Sequence, residues 1–227
     1  MSYHELLLPK LEEFVKCYMS RYDPSHDWEH VHRVRNLALK LAHSVEGKPD
    51  FEAVEIAALL HDFNDKKYQE SSEAFDVSGY LKSLGYPAEL SSLVDRIVDN
   101  VSYRKELQYK ALGEIDTWRE GCIELHIVQD ADKLDAMGAF GIMRCAAFSG
   151  SRNILLYSSQ LDYMPDPKPT KDVVTPREDS CVYHFHEKLL DLKDSMKTKE
   201  GIRLAKSRHE FMLQFLEQVD MEFSLRS

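Results

Sequence analysis

Apolar residues recur along this chain at the three- and four-residue spacing of amphipathic helices, without convincing strand alternation. The most hydrophobic stretch, residues 51–62, indicates a helix that heads into a core. A second helix is expected to begin near Asp27, with Ser25 or Asp27 as its N-cap. The pattern predicts helices over about 4–20, 27–46, 51–62, 71–84, 87–101, 120–133, 134–148, 181–194 and 199–221. It therefore predicts an all-α fold of about eight to ten helices.

One segment differs from the rest, because residues 162–180 hold four prolines and no helical pattern. Proline fixes φ and removes a donor, so we expect a long surface loop, either a lid or a spacer. Helices resume beyond it without a change in composition. We therefore interpret residues 1–227 as a single domain, with a core over about 23–150 and C-terminal helices over 181–223.

The composition excludes some partners. The formal net charge is −10, which argues against binding to duplex nucleic acid but permits a small phosphorylated ligand. No stretch approaches the 18 apolar residues of a membrane span, and the N-terminus lacks a secretion signal. The four cysteines form no Cys-x-x-Cys pair, which indicates free thiols in a reducing compartment. We expect a cytoplasmic protein without a membrane partner; a nuclear location and a homodimer both remain compatible with the sequence.

Three short segments place histidine and aspartate where apolar helices begin or end. They read HDWEHVHRV from His26, LLHDFNDKKY from Leu59 and VQDADKLDAMGA from Val128. Buried carboxylates cost free energy unless they are paired, hydrogen-bonded or bound to a metal. One shared cation explains three such segments in one helical domain more simply than three separate arrangements.

Helix geometry restricts which of these residues can share an ion. Residues two apart on a helix point about 200° apart, so His30 and His32 cannot serve one site. Asp130 and Asp132 diverge in the same way, so only one of them is expected to ligate, and geometry does not choose between them.

The neighbours His61 and Asp62 can hold one ion only where their helix ends, since adjacent residues are splayed by about 100°. Asp65 follows over the same face if the turn persists. Two imidazoles and two carboxylates suit Mn²⁺, Fe²⁺, Co²⁺, Ni²⁺ or Zn²⁺. Such an ion acidifies a bound water whose proton a nearby carboxylate can take, which is the chemistry of phosphate-ester or anhydride hydrolysis.

The ordered set of His30, His61-Asp62 and Asp132 resembles the signature of the HD-domain metal-dependent phosphohydrolase superfamily. The chain is most similar to small bacterial and fungal HD proteins that resemble nucleotide pyrophosphohydrolases. That branch shows H-D-x-x-H-x-x-R-V, L-L-H-D-x-x-D-x-K-Y and Q-D-A-D-x-L-D-A-x-G-A. The closing segments FHEKLLDLKDSMKTKEG and SRHEFMLQFLEQ also look like that branch, so the resemblance covers nearly the whole chain.

The resemblance implies an HD-domain helical bundle that binds one or two divalent ions. It selects Asp132 over Asp130 as the carboxylate ligand from its segment. It also places Asp65 where related alarmone hydrolases carry an acidic residue that helps to activate water. We see no additional pair of histidines of the kind that two-metal members use, so one ion is expected, with Mn²⁺ favoured and Fe²⁺, Co²⁺, Ni²⁺, Mg²⁺ or Zn²⁺ as alternatives. The expected metal ligands are His30, His61, Asp62 and Asp132.

These observations lead us to expect a hydrolase that cleaves a phosphoanhydride or phosphomonoester bond in a nucleotide or related small phosphorylated metabolite. Asp65 is expected to act on the attacking water, and Lys67 to assist catalysis at the phosphate, although both could instead form a solvated charged corner. The residues expected to contact the substrate are Arg33, Lys133, Arg144 and His26. For the three cations the alternative role is an ordinary salt bridge, and for His26 it is a hydrogen bond at the start of its helix.

Three other functions fit parts of the pattern. A di-iron oxygenase of the same fold would need additional histidine ligands. A cyclic-nucleotide or phosphodiester hydrolase would use the same ions on a diester. A nucleotide-sensing module would bind without cleaving, and an acidic residue at position 65 argues against it.

Overall fold

The computed structural model describes residues 3–64, 75–113, 116–157 and 180–225. Eleven α-helices form within these ranges, together with a 3-10 helix over Leu189–Ser195, and these ranges contain no strand. The helices are α1 Tyr3–Met19, α2 Trp28–Ser44, α3 Phe51–Leu60, α4 Val77–Leu84, α5 Ala88–Asn100, α6 Tyr103–Leu112, α7 Thr117–Gly121, α8 Ile123–Asp135, α9 Gly138–Ser151, α10 Cys181–Glu187 and α11 Lys199–Phe223. The all-α prediction is confirmed.

Two helices were not predicted from the sequence. Helix α6 is rich in polar residues, and Glu106 is its only buried side chain, so it presents no apolar face that a periodicity could reveal. Helix α7 has five residues, which is too short for the periodicity to be recognised. The predicted loop 162–180 lies outside the described residues except for Ser180.

Helix α3 occupies the centre of the bundle. Seven of its ten residues are buried, which leaves little of its surface facing solvent. It packs against α1, α2, α5 and α8. Asp50 caps its start by accepting a hydrogen bond from the amide of Ala53 at 3.0 Å. The helix ends at Leu60, so His61 and Asp62 lie in the turn that follows it, inside the bundle.

Helix α2 begins with an aspartate cap. The Asp27 side chain accepts a hydrogen bond from the amide of His30 at 3.0 Å, which satisfies a donor that the first turn leaves unpaired. Of the two caps considered from the sequence, the structure therefore uses Asp27. The cap fixes the first turn of α2, on which His30 lies, against α3 and α8.

A buried carboxylate attaches α11 to α8. Asp130 accepts hydrogen bonds from the amides of Lys197 and Thr198 and from the Thr198 hydroxyl. Gly201 approaches the same carboxylate so closely that a Cβ there would lie 2.5 Å from an Asp130 oxygen. A Cβ at position 201 would therefore displace the carboxylate that attaches the two helices.

Among the described helices, none combines the length and the apolar character that a bilayer crossing requires.

Candidate metal centre

Four side chains from three separate segments converge inside the bundle. His30 lies on α2, His61 and Asp62 follow α3, and Asp132 lies on α8. Nε2 of His30 is 3.1 Å from Nε2 of His61 and 3.3 Å from an Asp62 oxygen. Oδ1 of Asp132 lies 3.8 Å and 3.7 Å from the two Nε2 atoms. The structure thus brings together the four residues that were expected to bind a metal.

When they are neutral, the imidazoles of His30 and His61 direct the lone pairs of their Nε2 atoms toward the place where the four side chains converge. Nδ1 of His61 lies 2.8 Å from the carbonyl oxygen of Ala58, which can only accept, so Nδ1 carries the proton. Nδ1 of His30 lies 2.8 Å from a carboxylate oxygen of Asp135, which fixes the same tautomer. Both Nε2 atoms are therefore acceptors, although they face each other.

A cation fits this arrangement. The donor atoms of His30, His61 and Asp62 all lie within 4.8 Å of one another. Oδ2 of Asp62 is buried and has no hydrogen-bond partner among the described residues. Lone pairs and carboxylate oxygens that face one another in a buried site repel unless a positive charge lies between them. The residues present are therefore suited to a divalent ion of the borderline class.

Asp135 supports this centre from behind. It is buried, and besides His30 it binds Arg33 through two hydrogen bonds of 2.8 and 3.1 Å and Arg144 through one of 3.2 Å. Burial alone would raise the pKa of this carboxyl, but the hydrogen bonds from His30 and Arg33 hold it well below its ordinary value. Asp135 therefore stays ionised and keeps the His30 ring oriented.

Arg33 and Arg144, which were expected to contact the substrate, are held beside the centre by Asp135. Arg33 is partly exposed and stacks over the Phe140 ring, with its guanidinium carbon 4.3 Å from the ring centroid. Nε of Arg144 donates to the carbonyl oxygen of Ser25 at 2.6 Å. Each guanidinium thus has a structural partner at the edge of the site.

His26 also lies next to the centre. Its ring meets the His30 ring edge to face, with centroids 5.7 Å apart. Its Nδ1 is 2.7 Å from the Ser25 hydroxyl, which itself hydrogen-bonds to Asp23. His26 therefore makes the local hydrogen bond that its alternative interpretation required, while it also borders the metal centre.

Lys133 requires a correction, because its contacts do not suit a substrate-binding residue. Its side chain is 3% exposed, and its ammonium contacts Glu106 at 3.2 Å and the carbonyl oxygen of Ser195 at 2.6 Å. Asp130 lies 3.7 Å away. The three donors of the ammonium thus face three acceptors in the interior. Lys133 therefore binds interior acceptors and is not proposed as a substrate contact.

Two further predictions concern the choice between Asp130 and Asp132 and the catalytic roles of Asp65 and Lys67. Asp130 uses its carboxylate to attach α11, which leaves Asp132 as the carboxylate of this pair that faces the histidines. The predicted catalytic residues Asp65 and Lys67 lie outside the described residues, so their roles stay predictions.

Asp135 is the residue whose role was not recognised from the sequence. It belongs to the segment VQDADKLDAMGA, which begins at Val128, but no function was predicted for it from the sequence. The available signal was its position, which lies one turn beyond Asp132 and therefore on the same side of α8.

Comparisons with known proteins agree with this geometry. The HD domain family matches residues 27–137. The chain is 34% identical over 220 residues to the uncharacterized protein YpgQ of Bacillus subtilis, covering 94% of this chain and 92% of that protein. The crystal structure of Bacillus subtilis YpgQ in complex with ADP superposes with a TM-score of 0.71 and 30% identity, covering 94% and 96% of the two chains.

A second solved structure is named as a hydrolase. An HD-superfamily hydrolase from Bacillus thuringiensis superposes with a TM-score of 0.70 and 33% identity, covering 97% of this chain and 98% of that one. The fold, the converging histidines and aspartates and these relatives lead to one assignment. The chain belongs to the HD-domain superfamily of metal-dependent hydrolases.

Proposed function

We propose that this protein is a metal-dependent phosphohydrolase that cleaves a phosphoanhydride or phosphomonoester bond of a nucleotide. The observation that carries the proposal is the convergence of His30, His61 and Asp62 on one point, with Asp132 beside them. Two imidazoles and two carboxylates suit Mn²⁺, which we favour over Fe²⁺, Co²⁺, Ni²⁺, Mg²⁺ and Zn²⁺. When bound, such an ion supplies a Lewis acid for the phosphoryl group and lowers the pKa of water.

The nucleotide is supported by a relative and by the cations near the centre. YpgQ, which shares the fold, has been crystallised with ADP. In this chain Asp135 takes two of the five N–H donors of Arg33, and Arg33 is partly exposed. Its remaining donors can bind phosphate oxygens, which arginine recognises with paired hydrogen bonds. We assign Arg33 and Arg144 to the phosphates and His26 to the edge of the same site.

The chain's own residues perform two further tasks in this proposal. Asp135 and the Ala58 carbonyl oxygen hold the two imidazoles with Nε2 facing the centre, so the ligand set is preformed rather than assembled on binding. Asp65, which follows Asp62 by three residues, accepts the proton of the attacking water, and Lys67 stabilises charge at the phosphate.

The test is metal analysis followed by a substrate panel. The protein is stripped with a chelator, reloaded separately with each candidate ion, and assayed with nucleoside triphosphates, diphosphates, monophosphates and cyclic nucleotides. Phosphate and pyrophosphate are measured independently. Release of pyrophosphate identifies cleavage between the α- and β-phosphates, and release of phosphate identifies a phosphatase or terminal anhydride cleavage.

Three outcomes would contradict the proposal. Hydrolysis restricted to cyclic nucleotides would indicate a phosphodiesterase. Bound iron with oxygen consumption would indicate an oxygenase. Nucleotide binding without any release, in protein shown to hold its ion, would indicate a sensing module.

A further inference from the structure

Two buried cysteines contact each other outside the metal centre. Cys145 lies on α9 and Cys181 is the first residue of α10. Their Sγ atoms are 3.4 Å apart, and the residues are only 7% and 6% exposed. Sγ of Cys145 also lies 3.6 Å from the carbonyl oxygen of Cys181. Both thiols are free, and two sulfurs at this distance are in van der Waals contact.

The other two cysteines have no such neighbour among the described residues. Cys17 is exposed on α1. Cys122 is buried as deeply as Cys145, at 7% exposure, and its Sγ contacts Glu124 at 3.6 Å. Cys122 therefore offers an internal reference with the same burial and no second thiol.

The pair is also chemically asymmetric. The contact with the Cys145 sulfur lowers the pKa of Cys181 below its ordinary value, although burial opposes this shift. The same contact, together with burial, raises the pKa of Cys145. Burial raises the pKa of Cys122 to about 11. The thiolate is the reactive species, and Cys181, which also borders an apolar groove, is therefore taken as the nucleophile of the pair.

A groove gives small molecules access to Cys181. Cys181 forms part of the wall of an apolar groove of about 220 Å³, beside Phe185 and Phe215. A water molecule occupies about 30 Å³ in the liquid, so a molecule of the size of hydrogen peroxide fits this space. Cys145 is not among the residues that line this groove.

We propose that Cys145 and Cys181 form a redox-active dithiol that a hydroperoxide converts into a disulfide. The Cys181 thiolate attacks one peroxide oxygen, the O–O bond breaks, and a sulfenic acid forms while hydroxide leaves. The Cys145 sulfur then attacks the sulfenic sulfur, the S–O bond breaks, and a second hydroxide leaves. The two thiol protons neutralise both hydroxides, so two thiols and one hydrogen peroxide give one disulfide and two waters.

The two sulfurs must move toward each other for this step. A disulfide bond is about 2.05 Å long, so sulfurs that start 3.4 Å apart must approach by about 1.4 Å. A dithiol reductant reverses the reaction by thiol–disulfide exchange.

The test treats the full-length protein with hydrogen peroxide and maps its cysteines by mass spectrometry without reduction. We expect the thiols of Cys145 and Cys181 to disappear, a peptide pair joined through these two cysteines, and recovery of both thiols after dithiothreitol. We also expect Cys181 to react faster than Cys122, because Cys181 borders the groove and has a second thiol in contact with it. Equal reaction of Cys122 and Cys181, or absence of the joined peptides, would overturn the proposal.

Two variants test the role of Cys145 against that of a cysteine outside the pair. In Cys145→Ser, Cys181 should stop at the sulfenic acid, which dimedone traps, because the resolving thiol is absent. In Cys122→Ser, which removes a thiol of equal burial, the joined peptides should form as in the wild type. Circular dichroism checks that both variants remain helical. If Cys145→Ser does not fold, the wild-type map and the Cys122→Ser map together still decide the question.

Discussion

The carboxylate of Asp135 and Nδ1 of His30 are joined by a buried hydrogen bond of 2.8 Å. This contact lies on the opposite side of the imidazole from the metal centre, so Asp135 acts on an ion through the ring. It also explains why two arginines lie next to the centre, since the same carboxylate holds both of them.

Replacing Asp135 by asparagine should weaken metal binding. The amide keeps the size of the side chain but loses the charge that orients His30, and such outer contacts typically contribute about 10- to 100-fold in metal affinity. We expect a loss of that size for Mn²⁺, measured by competition with a chelator. Asp194→Asn, at an exposed surface ion pair with Lys193, is the control and should bind Mn²⁺ as the wild type does. Unchanged affinity in Asp135→Asn would mean that the contact only aids packing.

Two histidines on α2 allow a matched comparison of ligand and bystander. His30 faces the centre, whereas Nε2 of His32 lies 3.1 Å from the side-chain amide of Asn36. We expect His30→Ala to lose the bound ion and His32→Ala to retain it, as measured by elemental analysis after gel filtration. Both variants should keep their helical circular dichroism. Full metal occupancy in His30→Ala would remove that residue from the ligand set.

Asp65→Asn tests the residue proposed to act on water. The variant should keep the ion, because the four proposed ligands lie elsewhere. Its kcat should fall by roughly 10²- to 10⁴-fold, the usual contribution of a positioned general base, with little change in KM. Lys66→Gln controls for the local charge and should leave kcat unchanged. Hydrolysis at the wild-type rate in Asp65→Asn would show that Asp65 is a surface residue without a catalytic role.

Breaking the buried pair of Glu106 and Lys133 should lower the stability of the fold. Their side chains are 5% and 3% exposed, so Glu106→Gln removes the nearest carboxylate of a buried ammonium, which then keeps only Asp130, at 3.7 Å, as a counter-charge. We expect the free energy of unfolding to fall by about 1.5–3 kcal/mol, measured by urea denaturation at pH 7. Glu106→Gln combined with Lys133→Met should recover part of this loss, because neither charge of the pair remains. Asp130 keeps its hydrogen bonds from the amides of Lys197 and Thr198 in this double variant. A single-variant stability equal to that of the wild type would contradict this account.

The lowered pKa of Glu106 also predicts how the stability of the fold changes with pH. Burial raises the pKa of Glu106, but the ammonium groups of Lys133 and Lys197 outweigh it and hold the pKa below the ordinary value of 4.5. A carboxylate whose pKa is depressed by folding stabilises the fold fully above its unfolded pKa. This contribution should therefore be complete above pH 4.5 and be lost as the pH falls through the folded pKa. The wild type should lose more stability than Glu106→Gln over that range.

Much of the fold could be predicted because it depends on local patterns. The apolar run at 51–62 predicted the central helix, and the adjacency of His61 and Asp62 required that the helix end there, as it does at Leu60. Helix α6 was missed for the complementary reason, because only Glu106 among its residues is buried. A periodicity detects helices that bury an apolar face, and it cannot detect one that buries almost nothing.

The surroundings of the site were harder to predict because they depend on pairs distant in sequence. Lys133 follows Asp132 in the motif, which suggested a phosphate contact, but its partner Glu106 lies 27 residues away on another helix. Asp135 meets His30 across 105 residues. Neither pairing can be inferred from the spacing of residues within one segment. The ligands could therefore be predicted from the sequence, but the contacts that support them could not.

The central position of α3 has a consequence for how the protein fluctuates. An amide in a helix that is enclosed on most sides exchanges its hydrogen with solvent only when the whole domain opens, whereas amides near fraying ends exchange through local openings. Seven of the ten residues of α3 are buried, so its amides should be among the last in the protein to exchange deuterium. His61 and Asp62 are attached directly to the end of this helix. The spacing of the two side chains is therefore insulated from the local unfolding of more exposed elements such as α6.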